Sequence, residues 1–126
     1  MSVDKHEELR SRTKAFALRV IHMSEALPLT RAASVIDNQI LRSATGMAAN
    51  YRAAGRSRSK AEFIAKLGVV IEEADETVFW LELLCDSGII KPTKLKACWM
   101  KQTSSWRFLL HHEGRLEHES KTQKPR

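Results

Sequence analysis

At 126 residues, with 43% apolar and 29% charged side chains, the chain has the length for one domain and the balance of a globular protein rather than a disordered or membrane-embedded one. Its net charge of +6 favours anionic partners. No run of about 18 apolar residues is present to span a bilayer. The charged segment from Met1 to Arg12 lacks the apolar stretch of a secretory signal, so a cytoplasmic protein with no membrane partner is expected.

Only three prolines and five glycines interrupt the chain, Pro28, Gly55 and Gly88 among them falling where helices are expected to stop, and β-branched residues are scattered. The expected class is all-α, an antiparallel up-down-up-down four-helix bundle over residues 1–119. Its helices are predicted over about 4–27, 31–54, 60–87 and 92–119, with a disordered basic tail over 120–126.

In the first predicted helix Leu9, Thr13, Phe16, Val20, Met23 and Leu27 recur at alternating intervals of four and three, a heptad seam. Pro28 stops it, because the residue before proline is pushed out of the α region. Thr30 is the expected N-cap of the second helix, whose seam is Ala33, Ile36, Ile40, Ala44, Met47, Tyr51 and Ala54. Beside it runs a stripe of small residues, Gly46, Ala49 and Ala53, read as a place where a neighbouring helix approaches closely.

The third helix opens with Ser59-Lys60-Ala61-Glu62, a capping box, and continues through Phe63, Leu67, Val70, Ala74, Thr77, Leu81 and Leu84. Gly88 is the expected left-handed residue after it. Pro92 suits the first turn of a fourth helix carrying Leu95, Trp106 and Leu109. Ile64, Ile71 and Val78 on one flank of helix three, with Val69, Trp80 and Leu83 on the other, exceed what one bundle core uses. Burial against other subunits and ordinary surface exposure both account for that surplus. Cys85 and Cys98 read as small buried hydrophobes, with a bridge between them left open.

The segments Arg12-Thr13-Lys14-Ala15-Phe16-Ala17, Ala26-Leu27-Pro28, Gln39-Ile40-Leu41-Arg42-Ser43 and Ala49-Asn50-Tyr51-Arg52-Ala53-Ala54 follow one another in unbroken order. Arg58-Ser59-Lys60-Ala61-Glu62-Phe63, Glu72-Glu73-Ala74-Asp75-Glu76-Thr77 and Trp80-Leu81-Glu82-Leu83-Leu84 continue them. From Arg12 to Ile90 the chain thus resembles the bacterial four-helix bundle family described as proteins encoded by intervening sequences of 23S ribosomal RNA genes. It is also similar to the accessory protein of diversity-generating retroelements, a basic pentameric barrel that contacts a reverse transcriptase and nucleic acid. The resemblance implies a homopentamer, a nucleic-acid partner and a protein partner, and it carries over Gln39, Arg42 and Asn50. Gly46, where many members have serine, and Ala53-Ala54, near an acidic-glycine pair in others, depart from the family pattern.

Catalytic chemistry finds little support. His6, His22, His111, His112 and His118 all lack an acidic residue three positions earlier, so the Glu-x-x-His pairs of a two-metal bundle are missing. No nucleophile elbow or phosphate-binding glycine loop is present. A protein with no enzymatic activity, no cofactor and no metal site is expected.

Charge is more informative. From Asp37 to Lys60 the balance is +4, from Ala61 to Ile90 it is −6, and from Lys91 to Arg107 it is +5. Arg52, Arg56, Arg58 and Lys60 are expected to crowd one bundle end, a rim suited to phosphates of RNA or DNA without sequence readout. Pairing of these bases with helix-three acids is the competing reading. Counting back from the turn, Arg42 is expected opposite residues 71–73, Gln39 near Asp75 and Glu76, and Asn50 near Phe63, as a structural polar layer. The expected function is a ring-forming, nucleic-acid-binding adaptor, and the alternative is a protein-interaction scaffold.

Overall fold

The computed structural model describes residues 3–91 and Thr93. They form three helices, α1 (Val3–Glu25), α2 (Arg31–Ala54) and α3 (Lys60–Asp86), and no strand occurs among the described residues. The predicted helix over 92–119, Cys98, His111, His112, His118 and the basic tail over 120–126 lie outside the described residues.

Helix α1 buries Leu9, Thr13, Phe16 and Val20, and Thr13 Oγ1 returns its hydroxyl hydrogen to Arg10 O at 3.0 Å. It ends at Glu25, two residues before the expected Leu27. Ala26 N donates to Met23 O at 3.0 Å and Leu27 N to Ser24 O at 3.1 Å, so the chain tightens into a narrower turn before Pro28.

Thr30 is extended and its side chain accepts from Ala33 N at 3.3 Å, which starts α2. Ser59 is likewise extended and accepts from Glu62 N at 3.1 Å, which starts α3. The Glu62 carboxylate reaches back to Arg58 N at 3.1 Å, one residue upstream of the partner in the reciprocal box. After α3, Gly88 takes φ +77°, where a Cβ would be strained, and its N–H donates to Cys85 O at 3.0 Å.

The core joins all three helices. Leu9, Phe16 and Val20 of α1 meet Ile40, Ala44, Met47 and Tyr51 of α2 and Leu67, Val70, Leu81 and Leu84 of α3. Between α2 and α3 the register runs Ser43 to Thr77, Gly46 to Glu73 and Ala53 to Lys66, rising in one helix as it falls in the other. One hydroxyl pair is buried in this seam, with Thr77 Oγ1 2.8 Å from both Ser43 Oγ and Glu73 O. Ser43 Oγ also lies 3.2 Å from Ile40 O. Two hydroxyl hydrogens make two of these three contacts at a time, so at least one hydroxyl of the pair donates to a backbone carbonyl in any orientation that uses both.

The flanks of α3 divide by exposure. Ile64, Ile71, Val78, Trp80 and Leu83 are half-buried, while Val69 and Phe79 are exposed. Phe79 is 51% exposed and stands edge-on to Trp80, with ring centroids 5.0 Å apart.

Candidate nucleic-acid interface

The connection between α2 and α3, residues 55–59, is closed by its own short-range bonds. Arg56 N donates to Ala53 O at 3.0 Å, Ser57 N to Ala54 O at 3.1 Å, and Ser57 Oγ to the same carbonyl at 2.7 Å. With the Ser59 cap on Glu62 N, these bonds satisfy part of the backbone at both helix ends without using an arginine side chain. The side chains of Arg56 and Arg58 take no part in this closure.

Arg52, Arg56, Arg58 and Lys60 are all exposed around this turn. Glu62, the acid nearest in sequence, is taken by Lys66 at 3.0 Å and by the Arg58 amide. The Lys66 hydrogen bond first, and the Arg58 amide second, hold its carboxyl below the usual carboxylate range. Among the described residues, the guanidinium groups of Arg52, Arg56 and Arg58 have no carboxylate partner.

Arg42 behaves differently. It hydrogen-bonds Glu76 and also lies 3.4 Å from Glu73 Oε1. The Glu76 hydrogen bond leads the causes that raise its guanidinium above the ordinary value. Trp80 Nε1 donates to the same Glu76 oxygen at 3.4 Å. Asn50 Nδ2 bonds Gly46 O at 2.8 Å within its own helix, and Gln39 is half-buried with no hydrogen bond among the described residues. The three residues thus occupy separate settings, and among the described residues the α2 side chains that hydrogen-bond side chains of α3 are Arg42 and the buried Ser43.

Gly46 packs against a side chain. A Cβ there would sit 3.6 Å from the Glu73 carboxyl carbon and Oε2, an ordinary contact, while Ala49 and Ala53 of the same stripe are exposed. Glu73 Oε2 is buried with no hydrogen-bond partner among the described residues. Replacing Gly46 with alanine is expected to raise unfolding free energy by about 1 kcal/mol through helix propensity. Replacing it with serine adds a hydroxyl beside Oε2 and is expected to match or exceed alanine despite its lower propensity. Urea unfolding of both variants decides it, and a serine variant clearly below the alanine variant would show that Oε2 gains no donor.

The same end of the molecule holds an aromatic group that sequence reading did not bring together. His6 Nδ1 is 3.2 Å from the Tyr51 hydroxyl, and its ring stands edge-to-face with Phe63 at 5.3 Å and 77°. Burial first, and the N-terminal charge second, lower the His6 pKa, which favours the neutral imidazole. Burial also pushes the Tyr51 phenol up to about 12. His6 and Phe63 line a cavity of ≈ 280 Å³ together with Ala54, Gly55, Ser57, Ser59 and Lys60. The signal for His6 was present: it lies three residues before Leu9 and extends the heptad seam by one step.

Elsewhere the inventory is spare. Among the described residues no group of three or more His, Cys, Asp or Glu side chains is placed to hold a metal ion, and no helix is long and apolar enough to cross a membrane. The Cys85 thiol is half-buried and free, and burial, followed by the Asp86 charge, raises its pKa, which disfavours the reactive thiolate.

Comparison with known proteins places this arrangement. Residues 5–110 match the family of 23S rRNA-intervening sequence proteins. The chain is also similar to a crystal structure from Bacteroides thetaiotaomicron, a protein of unknown function from the S23 ribosomal protein family, with 30% identity and a TM-score of 0.76. That likeness covers 87% of this chain and 98% of the other. No curated protein matches the sequence. With most of its length matched, the chain belongs to the 23S rRNA-intervening sequence protein family.

Proposed function

We propose that this protein is a non-enzymatic, cytoplasmic adaptor that binds RNA or other nucleic acid electrostatically, as a pentameric ring of up-down-up-down four-helix bundles. The observation that carries the reading is the contrast between its arginines. Arg42 is neutralised by Glu73 and Glu76, whereas Arg52, Arg56 and Arg58 surround the α2–α3 turn with no carboxylate partner among the described residues. A ring repeats that cluster once per subunit, which multiplies phosphate contacts along one strand. Exposed Val69 and Phe79 on α3 supply apolar surface for subunit contacts.

The test is a salt titration of single-stranded RNA binding, paired with light scattering of the free protein. One cluster engaging about four phosphates gives a log–log slope near −3, from about −0.7 per phosphate, and a ring gives a steeper one. Sequence preference from phosphate contacts alone is slight. Absence of binding at low salt returns the basic turn to the protein-scaffold reading, and a scattering mass near the 14.3 kDa of one chain removes the ring.

A further inference from the structure

The cavity at the α2–α3 turn combines two things that single-strand recognition needs in one place. One side is aromatic: His6 and Phe63 stand edge-to-face, with ring centroids 5.3 Å apart, and both line the depression. The other side is the turn itself, where Gly55 places no side chain over the opening and Ser57, Ser59 and Lys60 form the rim. Arg56 and Arg58 alternate with those serines along the chain and are exposed. The depression is open to solvent rather than enclosed, and its volume of ≈ 280 Å³ leaves room for one flat ring system to lie against the surface. Non-specific single-strand binders pair a cationic track with aromatic side chains, because every base has a π-face and every linkage a phosphate.

We propose that this cavity takes one unpaired base of single-stranded RNA, packed against His6 and Phe63, with the flanking phosphates on Arg56 and Arg58. The inference rests on the electrostatic reading above and adds a base contact to it. Ser57 and Ser59 line the same opening, with their hydroxyls engaged by Ala54 O and Glu62 N, so they fix the rim on which the ligand would rest. Stacking of this kind tolerates any base, so the site distinguishes a base from no base more strongly than one base from another.

The experiment titrates full-length protein with three short labelled oligomers of equal phosphate count: oligouridylate, oligoadenylate and an abasic strand. Both base-bearing strands are expected to bind at least about fivefold more tightly than the abasic one, the low end of what one stacked base contributes. Two variants locate the effect. At Gly55, φ −63° suits any L-residue and a new Cβ meets only Arg52 O, at 3.4 Å, so Gly55→Leu adds bulk at the opening without entering the core. Phe63→Leu removes the ring but keeps apolar volume, with helicity as the check on folding. Either change is expected to bring the base-bearing strands down to the abasic affinity and to leave the abasic affinity unchanged.

Equal binding of all three strands by the parent protein overturns the base site and leaves the electrostatic reading standing. No binding of any strand at low salt overturns both. A base preference that survives Gly55→Leu and a folded Phe63→Leu puts the stacking elsewhere and also overturns the proposal.

Discussion

Replacing Arg56 and Arg58 with glutamate is expected, if the basic turn is the RNA contact proposed above, to lower RNA affinity by roughly three orders of magnitude at low salt, with helical content unchanged. The size follows from Coulomb's law: a unit charge pair at 4 Å in water is worth about 1 kcal/mol, so reversing one charge changes its contact by about 2. Two reversals give about 4 kcal/mol, and each 1.4 kcal/mol is tenfold. The fold is spared because the turn is closed through backbone groups and the Ser57 and Ser59 hydroxyls, with neither guanidinium involved. Filter binding across a salt series reads the affinity, and circular dichroism reads the fold. The same reversal at Lys121 and Lys124, outside the described residues, serves as a control with a smaller expected effect. An Arg56/Arg58 variant that is helical and binds RNA like the parent removes the basic turn from the interface.

The second large effect is on stability. Ile40 is fully buried, with 0% exposure, where α1, α2 and α3 meet. Ile40→Ala is expected to cost about 2–5 kcal/mol, the lost transfer energy plus the cavity left by incomplete collapse. For a domain of marginal stability, about 5–15 kcal/mol, that is a large fraction of the whole. Ile40→Val deletes one methylene and should cost only about 0.5–1.5 kcal/mol. Leu29, 101% exposed between α1 and α2, offers the contrast: Leu29→Ala is expected within about 0.5 kcal/mol of the parent. Denaturant midpoints at matched protein concentration compare the four proteins, since any subunit association makes stability depend on concentration. A cost below that of Ile40→Val would place the core elsewhere than around Ile40.

Much of the helical architecture is legible because its signals are local. Thr30 and Ser59 sit at helix starts for reasons confined to three following residues, and Gly88 marks an exit that its own φ requires. The seams of α1, α2 and α3 are likewise a matter of spacing, and Leu9, Ile40, Tyr51, Leu67 and Leu84 are buried where periodicity puts them. The end of α1 was less legible, since proline forbids helix at the preceding residue but does not say how many residues earlier the chain tightens.

The candidate site is harder to read, because its parts are distant in sequence. His6 and Tyr51 are separated by 45 positions, and only the extension of the α1 seam hints that they meet. The basic residues of the turn were plain from charge alone, but the aromatic wall beside them was not. Gly46 shows the opposite limit: a small residue signals close approach without saying by what, and here the neighbour is a carboxylate. Arg42 and Asn50 look alike as polar interruptions of one helix, yet one crosses to α3 and the other folds back on Gly46.

The closure of the α2–α3 turn by Ser57, Ser59 and Glu62 has a bearing on how such a protein changes over time. Mutations that alter those three side chains disturb helix ends and are selected through foldedness. Mutations at positions 56 and 58 alter only charge at the tip and, on the function proposed above, are selected through the partner. The two kinds of pressure fall on alternate residues of one short segment. A lineage can therefore exchange its ligand by drifting at two positions while the bundle beneath stays intact, and descendants that share a backbone need not share a target.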